Sequence, residues 1–259
     1  MSVAVILGSS FDQPELAEHV LEPVDVPASG ETVRLYRYRG APREAYVLFR
    51  HGMPHAFLPN QIPYRAHAAA LRQVGCEALL VTSSVGVVDP SVPLFTPLVV
   101  ADLFMPDNRL PDGSACTMFT RPVALQGHLV IEEGLFARAL SLQLDHLAGQ
   151  ELRRVVFAYV GGPRTKTATE NRWLAQQGAQ VNSMTLGPEV VLANELEIPT
   201  AALVIGHKYS LPIGAPQGAL APDALKRSLV RARAEVERLV TAFLEAAQPT
   251  AFANRMYRF

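Results

Sequence analysis

Six times along this 259-residue chain, a short apolar run of strand type stops at small, hydroxylic or basic residues. Residues 3–7 end in Gly8-Ser9-Ser10, residues 47–49 in Arg50-His51-Gly52, and residues 78–81 in Thr82-Ser83-Ser84-Val85-Gly86. Farther on, residues 155–160 end in Gly161-Gly162-Pro163-Arg164, the short run before Met184 in Thr185, and residues 201–205 in Gly206-His207-Lys208. Runs this short and apolar fit strands buried on both faces. Alternating with helical segments, they confine the chain to a mostly parallel sheet between helices. Ligands of open α/β sheets sit beyond the carboxyl ends of the strands. Six ends with anion-binding chemistry therefore point to one phosphate-handling site.

The pattern predicts an α/β fold, a single domain over residues 1–259 with a mixed, mostly parallel twisted sheet flanked by helices. Strands are predicted at 3–7, 32–38, 45–49, 77–81, 154–160, 181–184 and 200–205, with one more inside 94–103. Residues 24–49 read as a β-meander turning at Gly40-Ala41-Pro42. Helices are predicted at 64–74, 135–147, 168–177, 188–197 and 221–247. Pro63 suits the first helical turn, and Gly75 suits the stop after residue 74. Prolines at 90, 93, 97, 106, 111 and 122 forbid long regular elements between 87 and 129. Residues 106–122 read as a long loop, and loops of that length in compact domains are usually functional or mobile.

Composition narrows the function classes. A hydrophobic content of 49% is enough for one large core. A formal net charge of −1 gives no global basic field for nucleic acid. No apolar run approaches the ~20 residues that span a bilayer, and residues 1–7 read as a strand rather than a leader. The expectation is a cytoplasmic protein with no nucleic-acid or membrane partner. Cys76 and Cys116 make no metal-binding spacing, and Cys76 reads as a small buried apolar residue. His51 and His55 are four apart, but Gly52 and Pro54 between them argue against a helical metal pair. No metal and no cofactor are expected.

Walker-type and dinucleotide-type glycine motifs are absent. Gly8-Ser9-Ser10 is either an ordinary tight turn or a cradle of amides and hydroxyls for a phosphate. Arg50 and His51 are either a surface pair or a bidentate fork with a neighbouring donor. Thr82-Ser83-Ser84 and Thr185 offer hydroxyls from two sides of a cleft. Met184 is either core filler or a platform for a sugar. Only three of the 23 Lys and Arg residues are lysines, and Lys166 and Lys208 both fall at strand ends. They are either solvated rim charges or pocket cations.

In order along the chain, these segments resemble the trimeric purine nucleoside phosphorylase and methylthioadenosine phosphorylase family. Ile6-Leu7-Gly8-Ser9-Ser10-Phe11-Asp12-Gln13-Pro14 is similar to the family's opening phosphate loop. Arg50-His51-Gly52, then Asn60 and Tyr64-Arg65-Ala66, resembles its RHG and NYRAN stretch. Leu80-Val81-Thr82-Ser83-Ser84-Val85-Gly86 resembles a strand and loop reading TTACGS or TNAAGG. Gly162-Pro163-Arg164 with Glu170, and Ser183-Met184-Thr185 with Pro188-Glu189-Val190-Val191-Leu192-Ala193, resemble two further family motifs.

The resemblance implies phosphorolysis of a purine or purine-like nucleoside to free base and pentose 1-phosphate, with orthophosphate as co-substrate. It implies that Ser9, Arg50, His51, Ser84 and Thr185 hold phosphate, with Ser83 beside it and Met184 under the ribose. It also implies a homotrimer. A hydrolytic nucleosidase on the same scaffold and a non-catalytic nucleoside- or phosphate-binding homologue are the alternatives.

The chain departs from the family pattern on the base side. Thr165 stands where the family has a base-stacking Phe, and Lys166 where it has a Glu that binds oxopurines. His207, followed by Lys208 and Tyr209, stands at its base-side Asp or Asn. A carboxylate that accepts hydrogen bonds has become a cation that only donates, so an acceptor-rich or anionic leaving group is expected. His207 is the expected general acid, since an imidazole with an ordinary pKa of ~6.5 suits proton delivery near neutrality.

Overall fold

The computed structural model describes residues 2–9, 21–124, 126–210 and 222–258, with no side chain described at 222–226. Residues 10–14 of the opening motif and Ala221, the expected start of the last helix, lie outside the described residues. The strands are β1 (Ser2–Leu7), β2 (Leu21–Ala28), β3 (Glu31–Tyr38), β4 (Ala45–Phe49), β5 (Cys76–Val87), β6 (Pro97–Phe104), β7 (Gly127–Val130), β8 (Arg153–Tyr159), β9 (Val181–Ser183), β10 (Thr200–Tyr209) and β11 (Arg255–Arg258). The helices are α1 (Tyr64–Gln73), α2 (Arg138–Ala148), α3 (Ala168–Gln176), α4 (Gly187–Glu195) and α5 (Pro222–Ala246).

Side-chain alternation along β1 decides what packs on each face of the sheet. Ala4 and Ile6 join a core with Ala66, Ala70 and Leu71 of α1. Val3, Val5 and Leu7 point the other way, onto Leu140 and Leu144 of α2 and Val236, Leu239, Val240 and Phe243 of α5. The α5 stripe recurs at helical spacing, so one face of that helix closes the second core. Burying each such side chain contributes about 1.5–3 kcal/mol, which makes α5 a main clamp on that face.

Nine strands run in the order β10-β6-β8-β9-β5-β1-β4-β3-β2, and β10 also pairs with β5. That last pairing closes a ring of five strands, β5-β10-β6-β8-β9, with β1 to β4 extending from β5 as an open wing. Five of the nine pairings are parallel. The β2–β3, β3–β4, β5–β9 and β6–β10 pairings are antiparallel. The α/β class and mixed sheet agree with the sequence reading, but the sheet is partly closed rather than open.

Two of the expected strand ends are not ends. β5 continues through Thr82-Ser83-Ser84-Val85-Gly86 to Val87, and β10 continues through Gly206-His207-Lys208 to Tyr209. Ladder partners on both sides override the weak strand preference of Ser and Gly. Ser83, Ser84 and Val85 pair with Val204, Ile205 and Gly206, and Gly86 pairs with Asn182. The register shifts between Gly206 and Lys208, which pair with the adjacent residues Val85 and Gly86. His207 is thereby left without a partner across that ladder, as in a bulge, a device that re-aims a side chain.

The small β7–β11 sheet escaped the sequence reading, because its residues are mostly half-buried or exposed and form no apolar run. The 106–122 loop is tied down by α1 and α4. Arg65 donates to the Thr117 and Ala115 carbonyls at 2.8 Å each, and Glu195 accepts from Thr117 Oγ1 at 2.9 Å and the Met118 amide at 2.6 Å.

Candidate active site

At the Gly8 turn after β1, the backbone is held by a side chain of β5. Thr82 Oγ1 donates to the Ile6 carbonyl at 3.0 Å and accepts from the Gly8 amide at 3.1 Å. That hydroxyl is consumed by the framework. A Cβ at Gly8 would lie 2.9 Å from Arg50 Nη1 and 3.2 Å from the Thr82 carbonyl, so the close approach requires glycine. Ser9 follows, exposed at the cavity mouth.

Arg50 is 1% exposed, which removes the surface-pair reading. Its Nε donates to Glu189, and its Nη1 donates to the Thr82 carbonyl at 2.8 Å. Its Nη2 is buried with no partner. Glu189 is equally buried and lies in the first turn of α4, where the helix dipole favours an anion. The chain enters α4 through Leu186 at φ 76°, a left-handed conformation for a fully buried side chain. Such strain costs on the order of 1–3 kcal/mol and persists where the surroundings over-determine it. Here the sharp turn lets Thr185 face the cavity while Glu189 sits beneath Arg50.

His51 Nδ1 lies 2.8 Å from the Phe57 carbonyl, which can only accept, so Nδ1 carries the proton. Burial pushes this imidazole down to about 4, with the Phe57 hydrogen bond opposing and Arg50 and His55 reinforcing the shift. Near neutrality Nε2 therefore holds a lone pair. The expected donor is an acceptor, because its one proton is spent on backbone. The His55 ring stacks on His51 with centroids 4.5 Å apart. Among the described residues no three His, Cys, Asp or Glu side chains gather into a metal site.

Hydroxyls from β5 and β9 converge next to Arg50. Ser83 Oγ donates to the Ser84 carbonyl at 3.1 Å and lies 3.2 Å from Ser183 Oγ and 3.4 Å from Thr185 Oγ1. One Ser83 proton cannot serve all three, which leaves the other hydroxyls able to turn toward a ligand. Ser183 is a missed member of this set. Its position before Met184-Thr185 was the available signal.

The opposite wall is built by the segment between β8 and α3 and by the far half of β10. Met184 packs so closely on Gly162 that a Cβ there would lie 2.8 Å from its sulfur. Thr165 is exposed at the rim and Lys166 is half-buried. Burial pushes the Lys166 ammonium down to about 8, with Glu170 opposing and Lys208 reinforcing the shift. Glu170 does not pair with Lys166. It forms a two-pronged bridge to Arg164 at 2.7 and 2.9 Å and a capping box with Thr167.

His207 Nε2 lies 3.3 Å from Ser84 Oγ, and its buried Nδ1 has no partner. Burial lowers its pKa from the ordinary value, which favours the neutral ring. Lys208 is exposed, and the Tyr209 hydroxyl is spent on the Val92 carbonyl at 3.1 Å. Asn171 and Asn182, both missed, also line the cavity; they are joined at 3.2 Å, and Asn171 donates to the Ser210 carbonyl at 2.9 Å.

All twelve residues expected at the site line one cavity of about 700 Å³. Chain segments spread from Ser9 to Tyr209 thus meet around a space of small-ligand size. Ser83, Ser183 and Thr185 cluster on one side, and Ser84 reaches His207, the neighbour of Lys208.

A family model described as the phosphorylase superfamily matches residues 2–245. A probable S-methyl-5'-thioinosine phosphorylase of Pseudomonas syringae pv. tomato is 31% identical over 249 residues, covering 92% of this chain and 98% of that protein. A probable 6-oxopurine nucleoside phosphorylase of Thermococcus kodakarensis is 31% identical, covering 82% and 80%. Among solved structures, a variant adenosine/methylthioadenosine phosphorylase of Schistosoma mansoni, in complex with methylthioadenosine, superposes with a TM-score of 0.75 at 22% identity. It covers 94% of this chain and 92% of that one, a likeness of fold.

Proposed function

The chain belongs to the phosphorylase superfamily, and from that premise we propose that it cleaves the N-glycosidic bond of a purine or purine-like nucleoside with orthophosphate. The products are free base and pentose 1-phosphate, which makes it a pentosyltransferase. The observation that carries the reading is Arg50. It is a buried guanidinium of the cavity lining, braced by Glu189 and the Thr82 carbonyl, with Nη2 and the Glu189 Oε2 both buried without a hydrogen-bond partner. A guanidinium in a cavity wall is the group best suited to hold a phosphate through charge-assisted hydrogen bonds.

Ser9, His51, Ser83, Ser84 and Thr185 complete the phosphate end. Hydrogenphosphate donates its own proton to His51 Nε2 and accepts from the hydroxyls. Met184 lies under the ribose. In the reaction a phosphate oxygen forms a bond to the anomeric carbon while the C–N bond breaks and its electron pair passes to the base. In balance, the proton brought by hydrogenphosphate ends on the departing base. The phosphate anion stabilises the positive charge that develops on the sugar. His207 lies at the base end as a hydrogen-bonding group, with Thr165, Lys166, Lys208 and Tyr209.

Orthophosphate is the co-substrate, and no other cofactor enters this scheme. We read the working assembly as a homotrimer in the cytoplasm, on the strength of the family resemblance. Among the described residues no helix is long and apolar enough to cross a membrane.

The test is a product assay on a panel of nucleosides with and without phosphate, read by mass spectrometry. Phosphate-dependent release of base together with pentose 1-phosphate is expected. Free pentose released without phosphate would mean a hydrolase, and tight binding without turnover would mean a binding protein. Light scattering on the same preparation tests the trimer.

A further inference from the structure

We propose that the substrate's base carries a negative charge at neutral pH and that Lys166 is the cation that receives it. The proposal deepens the phosphorolytic reading above and rests on it.

The described cavity lining lacks a carboxylate for its lysines. Among the described residues, no Asp or Glu lines the cavity, whereas Arg50, Lys166 and Lys208 do. Arg50 has its carboxylate behind the wall in Glu189. Lys166 has none. The ion pairs of the described residues do not include it, and its neighbour Glu170 is held by Arg164. A half-buried ammonium is costly; the pull of Glu170 offsets part of that cost, and Lys208 beside it adds repulsion. Arg50 and the hydroxyls draw phosphate to their own cluster, and no carboxylate of the described cavity lining faces Lys166. An anionic group on the other substrate would give Lys166 a partner at short range.

Hydrogen bonding narrows its chemistry. A lysine only donates, so a base edge with an amino group or a ring N–H opposes it. An ionised 2,6-dioxopurine, which loses a ring N–H near neutrality, presents oxygens and a delocalised charge instead. Atoms and charge balance for such a substrate. The glycosidic electron pair passes to the base, the hydrogenphosphate proton neutralises that pair, and the base departs as the monoanion it was at the start. Lys166 therefore holds the same charge before and after cleavage.

The test compares phosphate-dependent kcat/KM for a 2,6-dioxopurine riboside, a neutral 6-oxopurine riboside and a 6-aminopurine riboside. The Lys166→Gln variant is run alongside, and thermal denaturation checks that it folds. A preference of about tenfold or more for the ionised base, the scale of one charge-assisted hydrogen bond, is expected. Lys166→Gln should abolish that preference while phosphate affinity stays within about twofold.

A preference for a neutral base, with phosphorolysis intact, overturns the proposal and leaves the phosphorolytic reading standing. Preference for a neutral-base nucleoside with an anionic 5′ group, lost in Lys166→Gln, also overturns it by moving the charge to the sugar. If no nucleoside is cleaved, calorimetry of the free bases decides. Binding of the ionised dioxopurine above hypoxanthine, lost in Lys166→Gln, supports the anion site even as the phosphorolytic reading falls. Equal binding of the two bases overturns the anion site.

Discussion

Replacing Glu189 with Gln keeps the shape of the side chain and removes its charge. Arg50 and Glu189 are each 1% exposed as side chains, so water cannot take over the lost interaction. Removing one partner of a buried pair costs about 3–5 kcal/mol, chiefly because the other charge is left uncompensated. The Gln amide oxygen still accepts from Arg50 Nε, which places the expected loss near the lower end, about 3 kcal/mol. At about 2–4 °C of Tm per kcal/mol in a chain of this size, melting should fall by about 6–12 °C. Phosphate then becomes the main counter-charge of Arg50, so it should raise the Tm of Glu189→Gln by more than it raises the parent's. At a hundred times Kd, binding alone adds about 2.7 kcal/mol, enough to recover most of the loss. The assay is calorimetric melting with and without phosphate. A Tm within about 1 °C of the parent, or a loss that phosphate does not reduce, would refute the reasoning. The double variant Arg50→Met with Glu189→Leu should melt near the parent, since apolar pairs often replace buried ion pairs without loss, and should show no phosphate shift.

Three shorter expectations follow from neighbouring contacts. Because His51 offers a lone pair rather than a proton, phosphate and arsenate, which carry a proton at neutral pH, should bind at least about tenfold tighter than sulfate, which carries none. Equal affinities by calorimetry would sink the tautomer assignment. Gly8→Ala places a methyl 2.9 Å from Arg50 Nη1, itself pinned to Thr82. It should weaken phosphate binding several-fold at an overpacking cost of about 1–3 kcal/mol, and unchanged phosphate affinity would count against the packing argument. Lys166 has a folded pKa near 8, below the unfolded 10.5. Folding disfavours its cation, so its penalty is full below pH 8 and is relieved as pH rises from 8 to 10.5. Stability should therefore rise across that window relative to Lys166→Gln, while affinity for an anionic base falls above pH 8. Parallel pH profiles for parent and variant would remove Lys166 from both effects.

The parts of this molecule legible in sequence are those written locally. Short runs of Val, Ile, Leu and Ala named the buried strands, and the residues that interrupt those runs named the cavity lining. Pairing was not legible. Nothing in Ser83-Ser84-Val85-Gly86 says that strand continues there. The ladder to Val204–Gly206 and Asn182 decides it, and those partners lie more than ninety residues away in sequence. Glu189 was visible only as part of a motif, since its role depends on Arg50 lying across the sheet from it. Protonation was equally hidden. His51 and His207 look alike in a sequence, and their titration depends on burial and, for His51, on the Phe57 carbonyl.

A loop of strands that shuts on itself has no free rim to bend. The five-membered circuit through β5 and β10 therefore acts like a rigid hoop whose circumference is set by strand number. Widening the chamber for a different molecule would mean breaking several rows of backbone bonds at once. Exchanging side chains of the cavity lining breaks none. Thr165 and Lys166 lie on the segment between β8 and α3, outside the ladders, and His207 has no partner across its ladder, whereas Arg50 is locked to the frame by Glu189 and Thr82. A scaffold of this kind keeps the co-substrate end constant and lets the other end drift, so new chemistry arrives by refurnishing rather than by reconstruction.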